Sequence, residues 1–387
     1  MRAVTGDHIL FSECIPALRP DTAAGWLTEE DHKPDSFYGY LFLDFNLSIP
    51  LMFDDFQIDP SIEVKLPGAY SAFISRVKLP KWVGNHNSHF FTIALSTAVS
   101  FATGRPVKST RDDYWTWRAF NQNTLNTLAL QFPILTAGPG AHVTRLSDQT
   151  MTRLAEEVQR VVKILRELPI KHYELIIQAM RLVQLSHLVH RDDFGLAYYL
   201  LISAIESIAQ SAISRKSVVE QHPKLLEWKK RAKEDPTFRE LFKTYKSERG
   251  NRQYINKRFV KFIQMYSPPE SWGELDDPNA DFLAYMAELF PRHDISHITR
   301  RQEKYPVDLS AYDIRKILSD AYTHRSKFTH KGEQPPHDDP NSSNRYFDVV
   351  LQWGTSFKSF TVPNYRLMSF LARKSILEYA IRECHDG

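Results

Sequence analysis

The sequence predicts an α+β protein. A mixed α/β N-terminal domain over residues 1–146 is followed by an all-α helical bundle over 147–387, which carries a basic helical insertion at about 215–265. Three observations predict this. Period-two alternation, the mark of a half-buried strand, occurs in the first third of the chain, at 40–49 and 62–66. The stretch Pro133 to Gly140 (PILTAGPG) is a breaker cluster, after which apolar residues recur at helical spacing almost to the C-terminus. Between Arg215 and Lys261 lie 15 Lys and Arg but six acids, so this segment carries +9 in a chain whose net charge is +3.

Taken in order, Tyr40 to Ile49 places Phe45, Leu47 and Ile49 on one face and Asp44, Asn46 and Ser48 on the other, and Ile62 to Leu66 repeats the pattern before Pro67 and Gly68 stop it. Phe90 to Thr103 reads as a buried helix closed by Gly104, with Pro106 just beyond. Ser147 caps a helix running to about Glu167, Pro169 opens another toward His190, and a third spans about Phe194 to Ser214. The basic stretch reads as short helices broken at Pro236 and Gly250, and Ser267 to Asn279 as a loop. Ser310 and Asp313 have capping-box spacing ahead of a helix that runs into HRSKFTHKG. Glu333 to Ser343 is a turn-rich linker, and a last helix spans about Asn364 to Arg382.

Composition excludes several classes. A hydrophobic fraction of 42% with 25% charged residues is that of a folded globular chain, not a disordered tail or a collagen-like fibre. Two cysteines, Cys14 and Cys384, at opposite ends of the chain make neither a disulfide scaffold nor a cysteine-based zinc site, and fit a reducing, cytoplasmic setting. No apolar run reaches the roughly 18 residues of a membrane span, and the first residues lack the apolar region of a signal peptide, so no membrane partner is expected. There is no Gly-rich phosphate loop and no G-x-S-x-G elbow.

The informative stretch is Ala321 to Gly332, AYTHRSKFTHKG. On its helix the apolar stripe runs Ile314, Ile317, Leu318, Ala321, and the residue that continues it four positions on is Arg325. A guanidinium on a buried face needs an acid or a bound anion. Glu206, flanked by Ile202, Ile205, Ile208 and Ala209, is the matching anomaly on the upstream helix, and a Glu206–Arg325 pair is expected. His330, five residues after Arg325, falls about 140° further round a regular helix. Either the helix ends near Phe328, or a working pair converges across two subunits.

These residues resemble the HEPN superfamily: R-x4-H at the end of a helix, then a glycine, with an upstream apolar helix bearing a glutamate. HRSKFTHKG is especially similar to the Apea-like branch. The resemblance covers roughly residues 147–387 and nothing before them. It implies a helical domain that forms a homodimer or higher homo-oligomer and brings two motifs together as an endoribonuclease site needing no metal or cofactor. Members are common in toxin–antitoxin pairs and antiviral defence, so the implied partners are RNA and an antitoxin or activating protein. Carried over, Arg325 holds the scissile phosphate, His330 moves a proton at the ribose 2′-hydroxyl and Glu206 orients the arginine, with Ser326, Lys327 and His324 as further contacts. Ser326 departs from the Asn, Asp or His that many catalytic members carry after the arginine. RNA supplies its own nucleophile, so such a site needs only a group titrating near neutrality and a cation. The alternative from another class is a non-catalytic module of the same kind that binds RNA, a nucleotide or a partner protein.

In the basic segment, cations including Lys257 and Arg258 alternate with Trp228, Phe238, Phe242, Tyr245, Tyr254, Phe259 and Phe262, a composition that suits phosphate contact with rings stacked on unpaired bases. The competing reading is amphipathic helices with aromatic cores. His187 and His190 near Asp192 and Asp193, His86 and His89, and RHDISH at Arg292 to His297 lack the ligand number and spacing of a metal site. Asp112, Asp113, Tyr114, Trp115 and Trp117 form an acidic and aromatic patch in an N-terminal domain read as regulatory or sensory.

Overall fold

The computed structural model describes residues 11–22, 37–66, 70–83, 88–110, 119–134, 146–218, 223–251, 254–275, 310–332, 346–353 and 356–386. The patch at 112–117, the 292–297 histidines, His86 and the linker at 333–343 lie outside them.

The fold is α+β. A short helix α1 (Phe11–Cys14) and a 3-10 turn at Ile15–Leu18 precede an antiparallel sheet. Its strands are β1 (Tyr38–Leu43), β2 (Leu51–Met52), β3 (Gln57–Ile58), β4 (Ile62–Leu66), β5 (Tyr70–Lys78) and, after helix α2 (Ser88–Thr103), β6 (Val107–Ser109). The order is β2-β3-β5-β1-β6, and β4 also pairs with β5, in a register running from Ile62 opposite Ile74 to Leu66 opposite Tyr70. The β1 strand sits earlier than its alternation predicts. YGYLFL is buried on both faces, Leu41 and Leu43 in the main core and Tyr40 and Phe42 in a second cluster under α3 (Gln122–Gln131). A strand covered on both sides loses its period of two. Phe45 and Leu47 belong to the coil that follows, yet still reach the core.

The helices α4 (Asp148–Glu167), α5 (Ile170–Val189) and α6 (Phe194–Ala212) begin where the sequence places them: Ser147 Oγ accepts from the Thr150 N–H at 3.3 Å, and α6 is capped by a residue not singled out in the sequence, Asp193, whose carboxylate accepts from the Leu196 N–H at 2.9 Å. They are followed by α7 (Leu225–Glu234), α8 (Pro236–Asn251), α9 (Ile255–Tyr266), α10 (Ala311–Lys331) and α11 (Tyr365–Asp386). Around α6 pack α5, α9, α10 and α11. The core does not stop at residue 146: α2 packs on β1 and β6 on one side and on α4 and α5 on the other, so sheet and helices share one apolar cluster. Buried Gln184 on α5 bridges them, accepting from Thr97 Oγ1 (2.6 Å) and donating to Ser96 Oγ (3.0 Å) and the Val107 carbonyl (2.7 Å).

One expectation needs correction. The region after 147 is not all-α: β7 (Tyr346–Trp353) and β8 (Ser356–Pro363) form an antiparallel hairpin, registered from Tyr346 opposite Pro363 to Trp353 opposite Ser356, and β8 abuts α10. YFDVVLQW and SFKSFTVP are rich in aromatic and β-branched residues and separated by Gly354 and Thr355, the composition of a tight hairpin. Within the basic stretch, α9 is built into the main core, where Phe259, Phe262 and Ile263 are fully buried.

Candidate functional site

The site is built where α10 crosses α6. Ser310 caps α10, its hydroxyl accepting from the Asp313 N–H at 3.2 Å, and the stripe Ile314, Ile317, Leu318, Ala321 lies against α6 and α9. The next position on that stripe is Arg325, whose Nη2 stands 3.3 Å from Oε2 of Glu206, with side-chain exposures of 21% and 11%. The expected pair is present.

Two rings that the sequence did not single out complete the setting. The guanidinium carbon of Arg325 lies 5.1 Å from the ring centre of Tyr199 and 5.8 Å from that of Tyr322, within cation–π range. Tyr322 precedes Arg325 by three residues on α10, and Tyr199 precedes Glu206 by seven on α6, so both spacings return to the same helix face. Burial, and then the negative charge of Glu206, push the Tyr322 hydroxyl up to about 12, partly offset by Arg325. Glu206 is held in turn by Gln210, whose Nε2 donates to Oε1 at 3.2 Å, and the Gln210 carbonyl accepts from the Arg258 guanidinium. Arg325 Nε is enclosed with no hydrogen-bond partner among the described residues. The arginine is therefore fixed at one corner and between ring faces, without its donors being saturated.

His330 stands elsewhere. The helix does not end near Phe328; it runs through Lys331 and closes at Gly332, whose backbone is left-handed (φ 67°) and whose N–H donates to the Phe328 carbonyl at 3.0 Å. Five helical residues separate His330 from Arg325 by about 140° and about 7.5 Å along the axis. His330 is exposed in the last turn, while Arg325 faces α6. One chain does not bring the two together.

The remaining expected contacts divide. Ser326 and Lys327 are half-buried, and Lys257 is exposed on α9. His324 and Arg258 instead face the interior, 6% and 8% exposed, and Arg258 spends its guanidinium on the Gln210 carbonyl. His187 and His190 converge on Tyr365: His187 Nδ1 lies 3.0 Å from its hydroxyl, and the His190 ring stacks on it at 3.8 Å. Among the described residues, no three His, Cys, Asp or Glu side chains are grouped to hold a metal ion, and no helix is long and apolar enough to cross a membrane.

No protein-family model, curated protein or solved structure matches the chain.

Proposed function

We propose that the helical region is a HEPN-like domain and that the chain is a metal-independent endoribonuclease whose site is shared between two copies. The observation that carries this reading is the arginine of the R-x4-H motif, held by Glu206 between two tyrosines, on a helix whose exposed last turn presents His330. Because the two motif residues point apart in one chain, a second copy must supply the histidine that works with a given arginine. Pairing two α10 ends gives a site two arginines and two histidines.

The chemistry follows from RNA itself. One His330 accepts the proton of a ribose 2′-hydroxyl as that oxygen bonds to the adjacent phosphorus. The P–O5′ bond breaks, and the departing oxygen takes a proton from the second His330. The products are a 2′,3′-cyclic phosphate and a 5′-hydroxyl. Arg325 stabilises the charge that builds on the phosphoryl oxygens, and Glu206 keeps it aimed. Such an activity suits a toxin or antiviral effector checked by an antitoxin or an activating partner.

The test is incubation of purified wild type, Arg325→Ala and His330→Ala with total cellular RNA in EDTA, followed by analysis of fragment ends. Wild-type-only cleavage leaving 2′,3′-cyclic phosphates is expected. Cleavage that EDTA abolishes, or that both variants retain, contradicts the proposal, and an inert wild type favours the non-catalytic binding module.

A further inference from the structure

The basic segment resolves into two parts with different fates. The α9 helix is core, whereas α7 and α8 pack on each other, and none of their described side chains joins either apolar cluster. They form a hairpin with its own small interior. Asp235 turns the corner, accepting from the N–H groups of Thr237 (2.9 Å) and Phe238 (3.1 Å), and Arg239 reaches back to the carbonyls of Ala232 (3.0 Å) and Lys233 (3.2 Å), closing the end of α7. Trp228 meets Tyr245 edge-on at 5.2 Å and Phe242 stacks with Tyr245 at 6.2 Å, with Phe242 and Ala232 buried. Arg231 covers Phe238 at 5.0 Å and Lys246 covers Phe242 at 4.7 Å.

Phe242 is buried and Trp228, Phe238 and Tyr245 are half-buried, each ring already engaged by another ring or by a cation, and what the hairpin presents most fully outward is charge. From Lys224 to Lys246 there are eight Lys and Arg against four acids. Lys229, Lys230, Lys233 and Lys243 are exposed, and no ion pair engages them among the described residues. Exposed leucines 226 and 241, at 78% and 62%, each adjoin a glutamate, Glu227 and Glu240, and the aromatic anchors a protein interface would use are buried or half-buried against one another and against cations. Phosphate is the ligand chemistry that remains.

We infer that the α7–α8 hairpin is an arm that binds the RNA phosphate backbone without selecting bases. This rests on RNA being the substrate, and it deepens that reading. Rings already engaged by one another and by cations leave little face for base stacking, which makes the arm indifferent to base identity, and affinity through lysines makes it steeply salt-dependent.

The test is binding of His330→Ala protein to labelled 30-nucleotide homopolymers of U and of A, across a salt series. Both RNAs should bind within about threefold of each other. The variant that adds Lys229→Ala, Lys230→Ala and Lys233→Ala should lose at least about tenfold affinity on both, with a log–log salt slope shallower by about two. Unchanged affinity in the triple variant overturns the arm. So does a strong homopolymer preference that Trp228→Ala removes, since bases would then be read. Absence of RNA binding at low salt overturns it in favour of a protein partner. Because the assay reads binding in protein lacking His330, a chain that binds through the arm but never cuts leaves the arm standing while the nuclease reading falls. Cutting with arm-independent binding does the reverse.

Discussion

Arg325 of α10 and Glu206 of α6 meet at 3.3 Å, in a niche walled by Tyr199 and Tyr322. The pair is partly exposed, so it is worth less than a fully buried one, but removing the acid leaves a guanidinium against the apolar face of α6. Glu206→Ala should cost about 2 kcal/mol and lower the melting point by a few degrees. Arg325→Met, which removes the charge and keeps much of the volume, should cost less. Equal melting points for wild type and Glu206→Ala would show the pair to be incidental.

Gly104 and Gly332 both have φ of 67°, but their surroundings differ. A Cβ on Gly104 would run into the Arg373 guanidinium, and Arg373 donates to the carbonyls of Phe101 and Ala102 at the end of α2, joining α11 to the sheet side of the core. A Cβ on Gly332 meets nothing within 4 Å. Gly332→Ala should cost only the left-handed strain, about 1 kcal/mol, whereas Gly104→Ala should cost clearly more. Chemical denaturation of the two variants checks this, and equal losses would contradict the role given to Arg373.

Acid should loosen the fold through two histidines. Burial, with Arg373 and His190 nearby, holds His187 at about 3, and burial holds His190 at about 4, both below the ordinary 6.5. The groups facing them are Tyr365, Ser186 and Phe194. The unfolded chain therefore binds more protons below about pH 6.5, and stability falls as pH drops from there toward 4, by on the order of 2 kcal/mol per histidine at pH 5. Melting points between pH 7.5 and 5 should show the fall, and His190→Phe, which keeps the stack on Tyr365, should flatten it. A pH-independent melting point, or an equal slope in the variant, would contradict the assignment.

Much of this was legible in the residues because the relevant signals are local. Ser147 and Ser310 mark helix starts through single cap bonds, and Arg325 and Glu206 betray themselves as charges on apolar stripes. Other features depend on neighbours that a periodicity does not name. The two-sided burial of β1 erased its alternation, and the β7–β8 hairpin sat behind a turn-rich stretch that dominated its reading. Tyr199 and Tyr322 look like ordinary core aromatics until Arg325 is placed between them. The inward rings of the basic hairpin did leave a trace, since Phe238, Phe242 and Tyr245 recur at helical spacing, as an interior face does. The orientation of His330 turned on whether its helix continued for one more turn, and Gly332 settled that.

In the proposed site, Arg325 of one copy works with His330 of another. The most direct measurement is RNA cleavage by an equimolar mixture of Arg325→Ala and His330→Ala proteins, dissociated and reassembled together, in EDTA. Each protein alone should be inactive. In the mixture half the dimers are mixed and each carries one intact arginine–histidine combination across the two chains, with water in place of the second histidine as acid, so activity should return measurably but to well below about a quarter of wild type. Measurable recovery on mixing supports a site shared between chains; a mixture as inactive as its components, in protein shown to exchange subunits, contradicts it.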